Sequence, residues 1–265
     1  MLLWSLLGFV VGWLINLASD VWPRYLPILW PPHCLHCNTP RAPMQWVGVL
    51  AYLLGQSKCR QCNQRLSWRW PLIEILSVIL FTYLYSLFDF SPRLLLTTFY
   101  SSILLLICVT DFEHRLILNK VTFPAIACAI VFVFLTPYLE PFNALMGFAF
   151  FTPPYLKPFN ALLGGISALL IGGAFYWLGA WYVRWRRINV LAFGQGDVTL
   201  MIFIGLIVGF VDMIPAFLIG SILAVIVSPI IAILRRQSIL HMTFAYGPYW
   251  AVGGWIMLLK LASGQ

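Results

Sequence analysis

Two aspartates carry the first chemical signal. Asp111 lies in Cys108-Val109-Thr110-Asp111-Phe112-Glu113-His114-Arg115, and Asp197 in Phe193-Gly194-Gln195-Gly196-Asp197-Val198-Thr199-Leu200. They belong to a set of only eight carboxylates in 265 residues. Both stand at the edge of long apolar stretches, where an acid is costly unless it faces water, a partner or a substrate. Two carboxylates brought together do not both ionise easily, so the pair shares a proton. The ionised member can take a proton from water while the protonated member donates to a carbonyl, which is what aspartyl proteolysis requires. Gly194 and Gly196 beside Asp197 would let a substrate strand approach the backbone. On charge alone, the two acids could equally be loop residues tolerated at an interface, with Asp197 capping a helix. Glu113, two residues from Asp111, is the nearest competitor, but on a continuing helix it points elsewhere.

Four cysteines carry the second signal. Cys34-Leu35-His36-Cys37 and Cys59-Arg60-Gln61-Cys62 are two C-x₂-C pairs separated by 21 residues. Each can offer two thiolates from one tight turn, and two such turns complete a tetrahedron, so Cys34, Cys37, Cys59 and Cys62 are read as a structural zinc site. A closed zinc centre would stabilise a loop with little apolar core of its own. Two disulfides are the alternative, disfavoured by the reducing compartment deduced below. A redox pair should show a βαβ context that is absent here. His33 and His36 are read as bystanders, and Cys108 and Cys128 as packing residues within apolar spans.

The elements that must hold these residues are membrane helices. Of the chain, 62% is hydrophobic, 16% aromatic and only 9% charged. A soluble globule of this size could not hide so much apolar surface, and a disordered chain would be far more polar. The expected class is all-α, a polytopic membrane protein with about eight spans over 2–19, 71–88, 94–110, 121–136, 161–183, 198–211, 213–234 and 243–261. The first stretch lacks a basic start and a small-residue cleavage site, so it reads as a retained span. Residues 23–70 hold Arg24, Arg41, Lys58, Arg60, Arg65 and Arg69 and no acid, which makes that loop cytoplasmic. Alternation then puts Arg115 with Lys120, Arg184 with Arg186 and Arg187, and Arg235 with Arg236 on the same side. Asp89 with Arg93, Glu140 with Lys157, and Asp212 fall on the other. The net charge of +8 is thus the cytoplasmic excess of Lys and Arg, and the partner it indicates is the lipid bilayer, not nucleic acid. Residues 137–147 (PYLEPFNALMG) recur as 154–164 (PYLKPFNALLG), read as a local duplication that lengthens an outer loop. The chain divides into 1–70, the first span with the four-cysteine loop, and 71–265, the helical part with both aspartates.

With these residues in order, the chain resembles the bacterial prepilin peptidases, membrane aspartyl proteases with a Gly-x-Gly-Asp motif. Gly12-Trp13-Leu14-Ile15-Asn16 looks like the family's opening glycine-to-asparagine motif, and Trp70-Pro71-Leu72-Ile73-Glu74 is similar to its Tyr-Pro-Leu-Val-Glu. Asp111 with Ile117-Leu118-Asn119 resembles the first catalytic motif, Gly194-Gln195-Gly196-Asp197 the second, and Tyr246-Gly247-Pro248 the closing Phe-Gly-Pro. The resemblance implies an eight-helix enzyme of the bacterial inner membrane, with Asp111 and Asp197 catalytic and Gly194 and Gly196 supporting. Such enzymes cut the basic leader from type IV prepilins or type II secretion pseudopilins on the cytoplasmic side. Many also methylate the new amino terminus with S-adenosylmethionine. The chain departs from the pattern at Leu118, where the family has proline, and at Thr199, where it has lysine; the stretch 17–23 also lacks the usual Val-Ile-Tyr-Arg-Leu-Pro run. Two rivals follow from the same residues: a transporter using Asp111 and Asp197 as ion ligands, and an inactive zinc-stabilised scaffold for pilus assembly. A transporter should bury its acids near the bilayer midplane, and these lie at one edge.

Overall fold

The computed structural model describes residues 1–24, 32–34, 36–145, 156–186, 193–234 and 246–263. Eight α-helices account for most of them: α1 (Leu2–Val21), α2 (Gly48–Leu53), α3 (Arg69–Phe88), α4 (Pro92–His114), α5 (Asn119–Leu145), α6 (Leu156–Arg186), α7 (Gln195–Leu234) and α8 (Gly247–Ser263). Five segments are long and apolar enough to cross a bilayer: Leu2–Arg24, Arg69–Phe88, Pro92–His114, Pro158–Arg186 and Gln195–Ile233. Asn119–Leu135 is a shorter apolar helix. Their large apolar side chains turn outward, as Leu2, Trp177, Val225 and Leu218 do, a surface that water would not tolerate and lipid would. The chain divides into two compact units, Met1–Leu94 and Leu95–Gln265.

In the first unit α1 packs along α3 because α1 places glycines in the seam. A Cβ on Gly8 would lie 2.7 Å from the Ser77 carbonyl oxygen, and one on Gly12 2.8 Å from Ser77 Oγ. One turn on, fully buried Asn16 donates from Nδ2 to the Trp70 carbonyl at 2.9 Å. Ser5 and Thr82 hydroxyls meet at 2.8 Å near the far end. Polar pairs of this kind join helices where lipid supplies no hydrophobic drive between them. Glu74, also fully buried, ties the short α2 to α3. Its two carboxylate oxygens accept the N–H groups of Gly48 and Val49, each at 2.8 Å. These are first-turn donors with no partner inside a helix, and the carboxylate meets the positive end of the α2 dipole.

In the second unit α6 and α7 cross closely at Gly164, Gly205 and Ala168. α7 is not one helix. At 40 residues it would be about 60 Å long, twice the hydrocarbon thickness. It breaks at Gly209, whose φ of 80° and ψ of 177° lie in a region open essentially to glycine alone. Asn160 of α6 caps the restart, its Oδ1 accepting the Phe210 N–H at 3.1 Å. The sequence places this boundary at Asp212; the break comes earlier because the backbone there needs glycine, not a polar residue. Asp212 lies inside the second half of α7 and pairs with Lys260 of α8 at 3.3 Å. Further along, α8 packs on α7 where Gly220 faces Trp250 and Gly253 faces the Ala216 carbonyl. Tyr100 of α4 lies edge-on to Phe203 of α7, ring centroids 6.0 Å apart, and Trp255 of α8 donates to Ser101 Oγ at 2.9 Å.

The duplicated segment differs from the loop expected of it. Residues 137–145 continue α5, and 156–164 open α6. The apolar pattern extends both helices, and prolines are tolerated in apolar helices whose neighbours satisfy the freed groups. The second copy also has work to do, since it supplies Asn160 and Gly164. Residues 146–147 and 154–155 of the repeat, and the basic positions Arg187, Arg235 and Arg236, lie outside the described residues.

Candidate active site and metal centre

Asp111 sits in the last turn of α4 and is 5% exposed. Arg115 ends that helix: it adopts φ 53° and returns its N–H to the Asp111 carbonyl at 2.8 Å, the left-handed closure of a helix C-terminus. The chain then turns through Leu116, Ile117 and Leu118 into α5, where the Leu118 carbonyl accepts the Val121 and Thr122 N–H groups at 2.8 and 3.1 Å. Buried Leu118 thus opens α5, the position where the resembled family has proline.

Asp197 sits in the first turn of α7. Its Oδ2 accepts the Gly194 N–H at 3.0 Å, the reach from third helical residue back to cap that anchors a helix start. The Thr199 hydroxyl folds back onto the Gly196 carbonyl at 2.8 Å, so the residue that replaces lysine is used within its own turn. Gln195 Nε2 reaches the Tyr176 hydroxyl of α6 at 3.4 Å.

Ile117 joins the two ends. A Cβ on Gly196 would lie 2.7 Å from Ile117 Cβ. A Cβ on Gly247, the first residue of α8, would lie 3.1 Å from Ile117 Cδ1 and 2.5 Å from Asp111 Oδ2. The Gly196 contact therefore requires glycine, and at Gly247 any side chain would push the Asp111 carboxylate aside. Cys108, one turn before Asp111, meets the Pro248 carbonyl at 3.5 Å and holds α8 against α4. Ile117 thus touches both Gly196, next to Asp197, and Gly247, which abuts Asp111. Asp111 Oδ2 is buried with no hydrogen-bond partner among the described residues. A buried carboxylate oxygen left open in this way is expensive structurally and useful to a water or a substrate carbonyl. Glu113 is exposed beside His114, 3.7 Å away. Sequence reasoning quoted Gly247 and Ile117 only as parts of motifs. The available signal was a glycine-proline step opening the last helix.

The four cysteines meet in the first unit. Their sulfur atoms all lie within 4.8 Å of one another, with Cys34 to Cys62 at 3.5 Å and Cys37 to Cys59 at 3.6 Å. Tetrahedral zinc with Zn–S bonds near 2.3 Å needs sulfurs about 3.8 Å apart, so the donor set and spacing fit; bonded sulfurs would be ~2 Å apart. The cysteines are free thiols. The two turns are built alike. Cys34 N–H bonds the Thr39 carbonyl and Cys59 N–H the Gln64 carbonyl, both at 2.8 Å. Asn38 and Asn63, each directly after the second cysteine, adopt φ 56° and 58° and return their N–H groups to Cys34 and Cys59 at 3.0 Å. Asparagine tolerates this left-handed conformation better than most residues, a local signal in Cys-Asn that sequence reasoning passed over. Backbone N–H groups of Cys62 and Gln61 hold the Cys59 thiol well below its usual range, at about 6. The Thr39 hydroxyl and backbone lower that of Cys37. Burial and the neighbouring thiols push Cys62 up to about 12, so all four become thiolates together only with a cation among them. His33 forms a bridge with Pro40 and is not among the clustered ligands, nor is His36.

Comparison with known proteins accords with this arrangement. The model of the bacterial peptidase A24 N-terminal domain matches residues 6–88, and that of the type IV leader peptidase family matches residues 98–229. A Vibrio cholerae protein named prepilin leader peptidase/N-methyltransferase is 27% identical over 240 residues, covering 85% of this chain and 84% of its own. A protein of the same name from Aeromonas salmonicida is 25% identical over 226 residues, 85% of this chain and 70% of that one. Against the Bacillus subtilis protein of that name identity is 28% over 115 residues, spanning 43% of this chain and a little under half, 46%, of the relative. No solved structure matches. Two family models that lie end to end along the sequence, one over the cysteine-bearing unit and one over both aspartates, place the chain in the type IV leader peptidase family.

Proposed function

We infer that the chain is an aspartic endopeptidase of the membrane that removes the leader peptide from type IV prepilins or type II secretion pseudopilins. Family membership supports the prepilin as substrate, and the residues supply a mechanism. Asp111 and Asp197 act as one acid–base pair with a single proton between them. The ionised carboxylate takes a proton from a water molecule as its oxygen attacks the scissile carbonyl carbon. The protonated partner gives its proton to the carbonyl oxygen, forming a gem-diol. The aspartate that took the proton from water then gives it to the amide nitrogen while the other takes a proton from a gem-diol hydroxyl; the C–N bond breaks to leave an acid and an amine, and the pair again holds one proton. Neither a covalent intermediate nor a metal is used in these steps. The observation that carries the reading is the buried, unpartnered Asp111 Oδ2 against Gly247, with Ile117 joining that end to the turn in which Asp197 is held from the backbone.

Counting α7 as two segments gives eight crossings: α1, α3, α4, α5, α6, the two parts of α7, and α8. In the bacterial inner membrane, with the basic 23–70 loop cytoplasmic, both aspartates open to the cytoplasm, where a prepilin leader lies before secretion. Residues 1–70 then form the first span with its metal loop, and 71–265 the protease part. Zinc, held by Cys34, Cys37, Cys59 and Cys62, is structural, closing the loop rather than touching substrate. Methylation of the new amino terminus, the second activity in the relatives' names, would draw its methyl group from S-adenosylmethionine. The rival transporter reading places its acids at mid-helix, whereas Asp111 and Asp197 occupy helix ends.

The test is co-expression with a prepilin. Asp111→Asn and Asp197→Asn should each abolish leader removal, with the protein still in the membrane and its zinc retained. Normal processing by either variant would overturn the reading. Mass analysis of the mature amino terminus reads methylation in the same experiment.

A further inference from the structure

Beside the cysteine cluster lies a cavity of about 240 Å³ that peptide cleavage does not use. Arg41, Arg65, Gln45, Gln64 and Ser57 are among its lining residues, and no carboxylate is. Arg41 is the informative one. Its side chain is only 9% exposed, and Nη1 has no hydrogen-bond partner among the described residues. An orphaned, buried guanidinium N–H costs free energy unless something outside the protein accepts it. The rest of the group is well fixed. It lies 4.0 Å from Asp20 in the last turn of α1, and its Cζ is 4.9 Å from the centre of the Trp70 ring in the first turn of α3. Arg41 is thus rigid, charged and set at the mouths of two apolar helices, which is the depth at which lipid phosphates lie.

The donors for an anion there are the guanidinium groups of Arg41 and Arg65. Cys34 and Cys59 also line the cavity, and a four-thiolate zinc centre carries two negative charges. Arg41 and Arg65 in the lining match those two charges, and Arg69 holds Asp20. The occupant that fits is a planar or tetrahedral oxyanion, which a guanidinium meets with paired N–H donors.

We propose that the cavity within the metal loop, walled by Arg41 and Arg65, is a phosphate-binding site that takes the headgroup of an anionic lipid. It would fasten the cysteine loop to the membrane surface. The inference needs the membrane reading but not the catalytic one, so loss of protease activity would leave it standing.

The experiment uses the full chain, zinc-loaded, in a neutral detergent, with dioctanoylphosphatidylglycerol and inorganic phosphate as separate probes followed by calorimetry. One saturable site per chain is expected. Affinity should fall about tenfold or more in Arg41→Gln and in Arg65→Gln, with zinc content unchanged, since each removes a charge-assisted donor. Should Arg41→Gln fail to fold, exposed Arg65→Gln decides the matter. Lipid binding that phosphate displaces only weakly identifies the headgroup as the source. Binding of phosphate with no preference for the lipid supports the site and assigns it to a free anion. The proposal is overturned if neither probe binds, or if the folded arginine variants bind with undiminished affinity.

Discussion

At Gly247 a single hydrogen atom stands where any other residue would place carbon 2.5 Å from the Asp111 carboxylate. Gly247→Ala is therefore expected to displace that carboxylate and lower the cleavage rate at least tenfold, since small misplacements of a reacting group are costly. Protein yield and zinc content should stay near wild type; cleavage at the normal rate would show that the contact is dispensable. Glu74 works by a different route. Glu74→Ala strands the Gly48 and Val49 N–H groups, at about 1–3 kcal/mol for each buried donor left unmet. Thermal unfolding in detergent should show the loss. The position of Asp111 and Asp197 at helix ends was legible because acids are so scarce in this sequence that a polar residue at a helix edge stands out. Gly247 and Glu74 were not, since their partners lie far away in the chain and only folding makes the contact visible.

The break in α7 shows where patterning stops being informative. Hydropathy locates two apolar segments but cannot choose among the polar and small residues between them. Asp212 was the obvious boundary by polarity, and Gly209 is the boundary by backbone geometry, with Asn160 reaching across from α6 to cap it. Gly209→Ala should cost about 1–3 kcal/mol, because alanine is strained at that φ and ψ. Asn160→Ala should cost about 1 kcal/mol as a lost cap. Midpoints of thermal unfolding compared with wild type test both; unchanged midpoints would mean the helix is continuous. The cysteine turns were readable from spacing alone, because C-x₂-C imposes its own geometry. Replacing Cys34 or Cys59 with Ser should remove metal and stability together, as measured by elemental analysis and unfolding. Full stability without metal would contradict a structural role for zinc.

Across the whole molecule, the two compact units carry separate burdens: metal loop and paired helices in one, both aspartates in the other. Composition alone announced membrane helices, although the helical course of the duplicated segment escaped it. The proposed eight crossings with a cytoplasmic cysteine loop would put the carboxyl terminus on the far side of the membrane. Alkaline phosphatase fused after Gln265 should then be active, and an inactive fusion would require an odd number of crossings. The central claim is that two distant aspartates act as one proton-sharing unit. Single-turnover cleavage of a purified prepilin by Asp111→Asn, by Asp197→Asn and by the double variant measures this directly. Groups that act as a unit give non-additive losses, so either single substitution should be as damaging as both together. Losses that multiply, or a single variant that cuts at the wild-type rate, would contradict it.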